Sequence, residues 1–211
     1  MTPSAIPAAS AASVGGISIP GFFLYALLAL SAESMVFSGA GGFSRAMRAA
    51  RKPGLLRWNT LFVTFFCVCS VCAAQLLGPW AESLPRPMVA RSVLFLCADA
   101  LLYLGAAALM RRFFPSLWKK AGGALSSGAL NTLVLSMPFL QQALQMDLLS
   151  SLGYALGTGA AFWLASLLLH AALQICSHKD VPRAYRGLPA ALIYAGLMCL
   201  AFCGFSGGRF F

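Results

Sequence analysis

The sequence predicts an all-α integral membrane protein of six transmembrane helices, arranged as a 3+3 inverted repeat with broken helices 1 and 4. Three observations lead there. The 211 residues are 60% hydrophobic and only 9% charged, with a mean hydropathy of +0.81, which is too apolar to hide inside one water-soluble globule. The apolar residues gather in long charge-poor stretches, each near the ~20 residues that a helix needs to cross a hydrocarbon core of ~30 Å. Clusters of Gly and Ser interrupt two of these stretches at corresponding places in the two halves.

Residues 1–17, "MTPSAIPAASAASVGGI", are small and uncharged and read as a flexible tail. They lack the basic segment of a secretory signal, and a full-length apolar run follows them. Residues 18–211 then form one transmembrane domain, with spans at 18–40, 58–79, 91–110, 123–142, 150–173 and 187–206. The first span ends in "SGAGGFSR"; the fourth is opened by "AGGALSSGALNT" and carries Pro138 near its far end. Such sequences favour half helices, whose unpaired backbone groups survive at membrane depth only where protein or water shields them. Interruptions in spans one and four match an inverted repeat with a site between its halves, and "SAESMVFSG" is echoed in "GALNTLVLS". In the fifth span Gly153 and Gly157 are four apart with Gly159 alongside. In the sixth, Gly187, Ala191, Ala195, Cys199, Cys203 and Gly207 repeat every four residues. Small residues at this spacing let helices approach closely in lipid, so the last helix is expected to be buried against protein.

The net charge of +10 invites a nucleic-acid reading, which the distribution of the bases excludes. Arg45, Arg48, Arg51, Lys52 and Arg57 follow the first span, Arg111, Arg112, Lys119 and Lys120 the third, and Lys179, Arg183 and Arg186 the fifth. Only Arg86, Arg91 and Arg209 lie on the other side, and the "QQALQMDLLSS" loop has no base. Since cytoplasmic loops collect Lys and Arg, the three basic loops are expected inside and both termini outside. Asp180 to Gly187 reads as a tight cytoplasmic turn in which Pro182 stops the helix and the bases sit at the inner headgroups.

An intramembrane carboxylate is costly enough to imply function, and Glu33 and Asp99 are the two acids within predicted spans. Both are candidates for an ion or proton path. The plainer alternative is a protonated carboxyl, hydrogen-bonded to a neighbouring helix or placed near an interface. The "CVCSVC" run looks like a metal box, yet on a helix Cys67 is turned about 200° from Cys69, so only Cys69 and Cys72 share a face. Small polarizable packing residues are the simpler account of these thiols. No disulfide is expected, because six of the seven cysteines fall inside spans and Cys176 faces the reducing side. His170 and His178 have no partner at metal-ligand spacing. Nucleotide, zinc-protease and nucleophile-elbow motifs are missing, and no segment reads as a soluble catalytic domain.

Residues 151–173, "SLGYALGTGAAFWLASLLLHAAL", and then 180–207, "DVPRAYRGLPAALIYAGLMCLAFCGFSG", resemble a known family. It comprises the A-type membrane subunits of Rnf electron-transport complexes and the related E-type subunits of sodium-pumping NADH:quinone reductases. Tyr154, Phe162, Asp180-Val181-Pro182, Arg186-Gly187, and Ala195-Gly196-Leu197-Met198 through Gly204-Phe205-Ser206-Gly207 carry the match. Upstream it is looser but colinear, through Ser70-Val71-Cys72-Ala73, Arg91, Arg112, Pro115 and Asn131, which joins Glu33 and Asp99 as an ion-pathway candidate. The resemblance implies six helices in an inverted repeat, broken first and fourth helices, and both termini outside the bacterial cytoplasmic (inner) membrane. It also implies other members of the complex as partners. Among them is a paralogue of opposite topology, with which the family shares a two-iron two-sulfur cluster, each chain giving two cysteines.

This sequence departs at those ligands. The family cysteines fall at Phe43 or Ser44 and at Thr132, and none of these can replace a thiolate in an ordinary cluster site. The first helix has Ala32, Glu33 and Ser34 where paired asparagines are usual, and the family's third-helix acid falls near Ala107, two turns from Asp99. The expectation is therefore a divergent Rnf/Nqr-type membrane protein of the complex that binds no cluster of its own. The alternatives are a stand-alone small transporter or scaffold derived from the same fold, and a cluster held by relocated thiols such as Cys69 and Cys72.

Overall fold

The computed structural model describes residues 19–30, 43–51, 53–82, 87–113, 115–176, 182 and 187–205. The predicted tail, Glu33 and most of the Asp180 turn lie outside them. Among the described residues the chain is all helical: α1 (Ile19–Leu30), α2 (Phe43–Ala50), α3 (Pro53–Glu82), α4 (Pro87–Phe113), α5 (Pro115–Ala129), α6 (Thr132–Ala143), α7 (Leu148–Cys176) and α8 (Leu188–Phe205). Four segments are long and apolar enough to cross a membrane, Leu56–Gly78, Val89–Phe113, Gly122–Ala143 and Leu148–Cys176, and two shorter apolar helices cover Pro20–Leu30 and Pro189–Phe202.

α3 and α7 make the centre of the bundle. α7 packs against α1, α2, α3 and α8, while α3 also meets α4, α5 and α6. The sequence of α3 dictates this role. Leu56, Asn59, Val63, Phe66, Cys67, Ser70, Val71 and Ala74 recur every three or four residues and are buried, whereas Leu61, Phe65 and Leu76 on the other face are exposed as a lipid-facing surface requires.

α7 holds α1 through the glycines. A Cβ on Gly153 would collide with the backbone carbonyl of Phe22, and one on Gly157 with that of Ala26. Two residues four apart on each helix therefore mesh backbone to backbone. Gly159 faces Thr64 on α3, and a Cβ there would overlap its hydroxyl. In α8 the small-residue stripe is buried, among the described residues, only at Ala191 and Ala195, while Leu192, Ile193, Leu197 and Leu200 are exposed. The last helix lies on the rim of the bundle, seated along one narrow line. Gly187, at φ +87, makes the turn into it and its N–H bonds the Cys176 carbonyl at 3.2 Å, a left-handed position suited to glycine.

The fourth span is interrupted later than its Gly and Ser residues suggest. Gly122, Gly123, Ser126, Ser127 and Gly128 are all helical within α5. Gly128 instead serves packing, since a Cβ there would come within 2.8 Å of the Phe62 Cβ on α3. The break falls at Leu130 and Asn131, and Asn131 has extended backbone (φ −97, ψ 139) before α6 begins.

Candidate functional site

The site is built on α3, α4 and α6 and starts from a proline. Pro138 lies inside α6 and has no N–H, so the carbonyl four residues earlier, that of Val134, loses its helical partner. A buried orphan carbonyl at membrane depth is costly unless another donor reaches it. Ser70 on α3 does: its hydroxyl donates to the Val134 oxygen at 3.4 Å. The same hydroxyl faces the Asp99 carboxylate on α4. A serine has one proton to donate and here meets two acceptors. The second carboxylate oxygen, Oδ2, has no hydrogen-bond partner among the described residues. The cluster is rich in oxygen acceptors and short of donors.

Its depth follows from the spans. Ser70, Asp99 and Val134 each lie within about one helical turn of the middle of their segments, Leu56–Gly78, Val89–Phe113 and Gly122–Ala143. Asp99 is 6% exposed and is the one buried charged side chain among the described residues. Cys67, fully buried, lies one turn before Ser70 on the same face of α3.

Asn131 stands at the break, one turn before Val134. It is 0% exposed, its side chain makes no capping bond to α6, and neither its oxygen nor its nitrogen has a partner among the described residues. Asp99, through Ser70 and the Val134 carbonyl, and Asn131 thus both meet one interrupted span within about a turn of each other along it. Glu33 is not among the described residues.

One long side chain links the two elements on which the resemblance places the cluster ligands. α2 begins at Phe43, and Arg45 on it donates from Nη2 to the Leu130 carbonyl at 3.3 Å, bridging α2 to the break. Thr132 is exposed on the first turn of α6. The donors at the break are an amide and a hydroxyl, which do not fit iron held by thiolates. The described cysteines are free thiols spread over α3, α4, α7 and α8. No group of three or more His, Cys, Asp or Glu among the described residues is placed to hold a metal ion.

Three features are not foreseeable from the sequence. Ser70 enters there only as part of a resemblance, and its signal is a hydroxyl on the buried face of a span. His170, within α7, bonds through Nδ1 to the last carbonyl of α2, that of Ala50, at 2.7 Å, and through Nε2 to Gln174 at 3.1 Å. The Arg45 bridge joins residues 85 apart, beyond the reach of any local pattern.

Relatives place the chain in a family of membrane proteins. The family described as Rnf-Nqr subunit, membrane protein, matches residues 58–208. The chain is 30% identical over 167 residues, 79% of its length and 83% of the relative's, to the A-type member of the ion-translocating oxidoreductase complex of Citrobacter koseri. The equivalent proteins of Escherichia coli (strain K12 / DH10B) and Shigella boydii serotype 18 are 30% identical over 166 residues, with the same coverage. With several apolar helices and a family match over most of its length, the chain is a multi-pass membrane protein and belongs to the Rnf-Nqr family of membrane subunits.

Proposed function

We propose that this chain is a membrane component of an ion-translocating electron-transport complex, and that it lines an ion path without binding an iron–sulfur cluster of its own. The observation that carries the reading is the oxygen cluster at mid-depth: the Asp99 carboxylate, the Ser70 hydroxyl and the Val134 carbonyl freed by Pro138. Oxygen acceptors in excess of donors favour a proton or a hard cation. The relatives named above belong to ion-translocating oxidoreductase complexes, which supports placing that path in such an assembly.

The finer features follow from the same reading. The chain spans the bacterial inner membrane six times as two inverted halves of three, with both termini outside. It docks against a paralogous partner of opposite topology, through the face where Leu130 and Thr132 are exposed at the break. Electrons pass through other members of the complex, because the residues at the break supply no thiolate.

The test is purification in mild detergent followed by reconstitution. Co-isolation with flavin- and iron–sulfur-bearing proteins is the expected result, and Asp99→Asn is expected to abolish ion uptake while leaving assembly intact. A colourless chain that purifies alone would overturn the assignment to a complex. Unchanged ion movement in the folded Asp99→Asn complex would overturn the path.

A further inference from the structure

A second polar site lies away from the mid-membrane cluster, at the end of the bundle where α3 finishes, α4 begins and α6 turns into α7. A cavity of about 410 Å³ opens there between Gln75 and Gly78 of α3, Arg91 of α4, and Gln141, Gln142 and Gln145 at the end of α6. One cation and four side-chain amides are an unusual lining for a membrane bundle. Gln141 is 6% exposed, and neither its amide nitrogen nor its amide oxygen has a hydrogen-bond partner among the described residues. A buried amide left without protein partners in a polar cavity of this size is available to an occupant.

The backbone is not that occupant. The closing carbonyls of α6 are already bonded, Leu140 by the Leu144 N–H at 3.0 Å, Gln141 by the Met146 N–H at 3.1 Å and Gln142 by the Gln145 N–H at 3.2 Å. The Met146 carbonyl accepts from Gln75 and Ser151. What the cavity offers is therefore side-chain chemistry: the positive charge of Arg91, the kind of group that attracts phosphate, and amides that donate to oxygen. The amide oxygens are served by hydroxyls. Trp80, five residues beyond Gln75 and 75% exposed, is the kind of side chain that marks headgroup depth.

We infer that this cavity binds a phosphate oxyanion at the membrane surface, supplied by the headgroup of a hydroxyl-bearing phospholipid or by free phosphate. The site is independent of the ion path and of the complex.

Gly78 provides a clean probe. It lines the cavity, and a Cβ built on it meets nothing within 4 Å. Gly78→Leu thus fills the site without touching its charge, and favours the helix it sits in. The full-length chain, with whatever partners it retains, is delipidated in mild detergent. It is then titrated with short-chain phosphatidylglycerol, read by native mass spectrometry, and with inorganic phosphate, read by calorimetry. One saturable site per chain is expected. Gly78→Leu and Arg91→Gln should each weaken it about tenfold or more, the loss expected for a charge-assisted contact, while Arg112→Gln at the opposite end leaves it unchanged. Lipid binding that phosphate does not displace identifies a headgroup, and displacement by millimolar phosphate identifies the free anion; both support the site. No saturable binding of either probe would overturn it. So would Gly78→Leu binding as tightly as the native chain, a result that decides the matter even where Arg91→Gln fails to fold.

Discussion

Gly157→Ala adds one methyl group at the seat of α1 on α7, and the geometry sets its cost. The new Cβ would lie 2.9 Å from the Ala26 Cα and 3.0 Å from its carbonyl carbon, and closer still to the carbonyl oxygen. Ordinary contact needs about 3.5–4.0 Å. All three atoms are backbone, so no rotamer change relieves the overlap, and the whole of α1 must retreat by about 1 Å. A gap of that width forfeits a quarter to a half of each contact across it, and overpacking of this kind costs about 1–3 kcal/mol. For a chain of this size the expected fall in Tm is about 2–4 °C per kcal/mol. Cys67 is fully buried, so a fluorogenic thiol dye in mild detergent reports unfolding. Gly153→Ala should behave alike through Phe22. The double substitution should cost less than the sum, because one retreat of α1 relieves both clashes. Gly105→Ala is the control, since its Cβ meets nothing within 4 Å. A Tm for Gly157→Ala equal to that of Gly105→Ala would refute the backbone-to-backbone seat.

Asn131→Leu is expected to abolish ion-linked activity yet leave stability equal or higher, because an amide with neither polar atom bonded among the described residues gives way to an apolar group; a lower Tm with full activity would contradict this. His170→Phe removes the partner of the Ala50 carbonyl and should destabilise the chain by about 1–3 kcal/mol, read by the same dye assay. Cys176, at the end of α7, should react with a membrane-impermeant maleimide only in inside-out vesicles, and labelling in right-side-out cells would reverse the proposed topology.

The membrane-spanning character of this chain is legible in its sequence because it depends on composition and length, which need no tertiary information. The helices over 53–82, 87–113 and 148–176 contain the stretches expected at 58–79, 91–110 and 150–173. The expected span at 18–40 is described as a helix only over Ile19–Leu30. The break in the fourth span is foreseeable in kind but not in position. Glycine weakens a helix in water, but here Gly128 is held helical by packing on Phe62, and the interruption falls instead at Leu130 and Asn131. Asp99 is readable as a lone acid in an apolar run. Its partner is not, since Ser70 stands between the Asp99 carboxylate and the carbonyl that Pro138 frees on a third helix. Such a relay joins three elements, and a one-dimensional pattern carries no term for it.

The bridge from Arg45 to Leu130 makes the interruption electrically lopsided. Where a helix is cut, one stump ends in bare carbonyls and the other in bare amides, and the two would ordinarily offset each other. Here a guanidinium covers the carbonyl stump, whereas no side chain of Asn131 caps the amide stump. The gap is left with a positive bias that nothing described on α6 cancels. On the proposed ion path, a cation coming from the Arg45 side would meet this positive charge first, so the seam would favour approach from the other side.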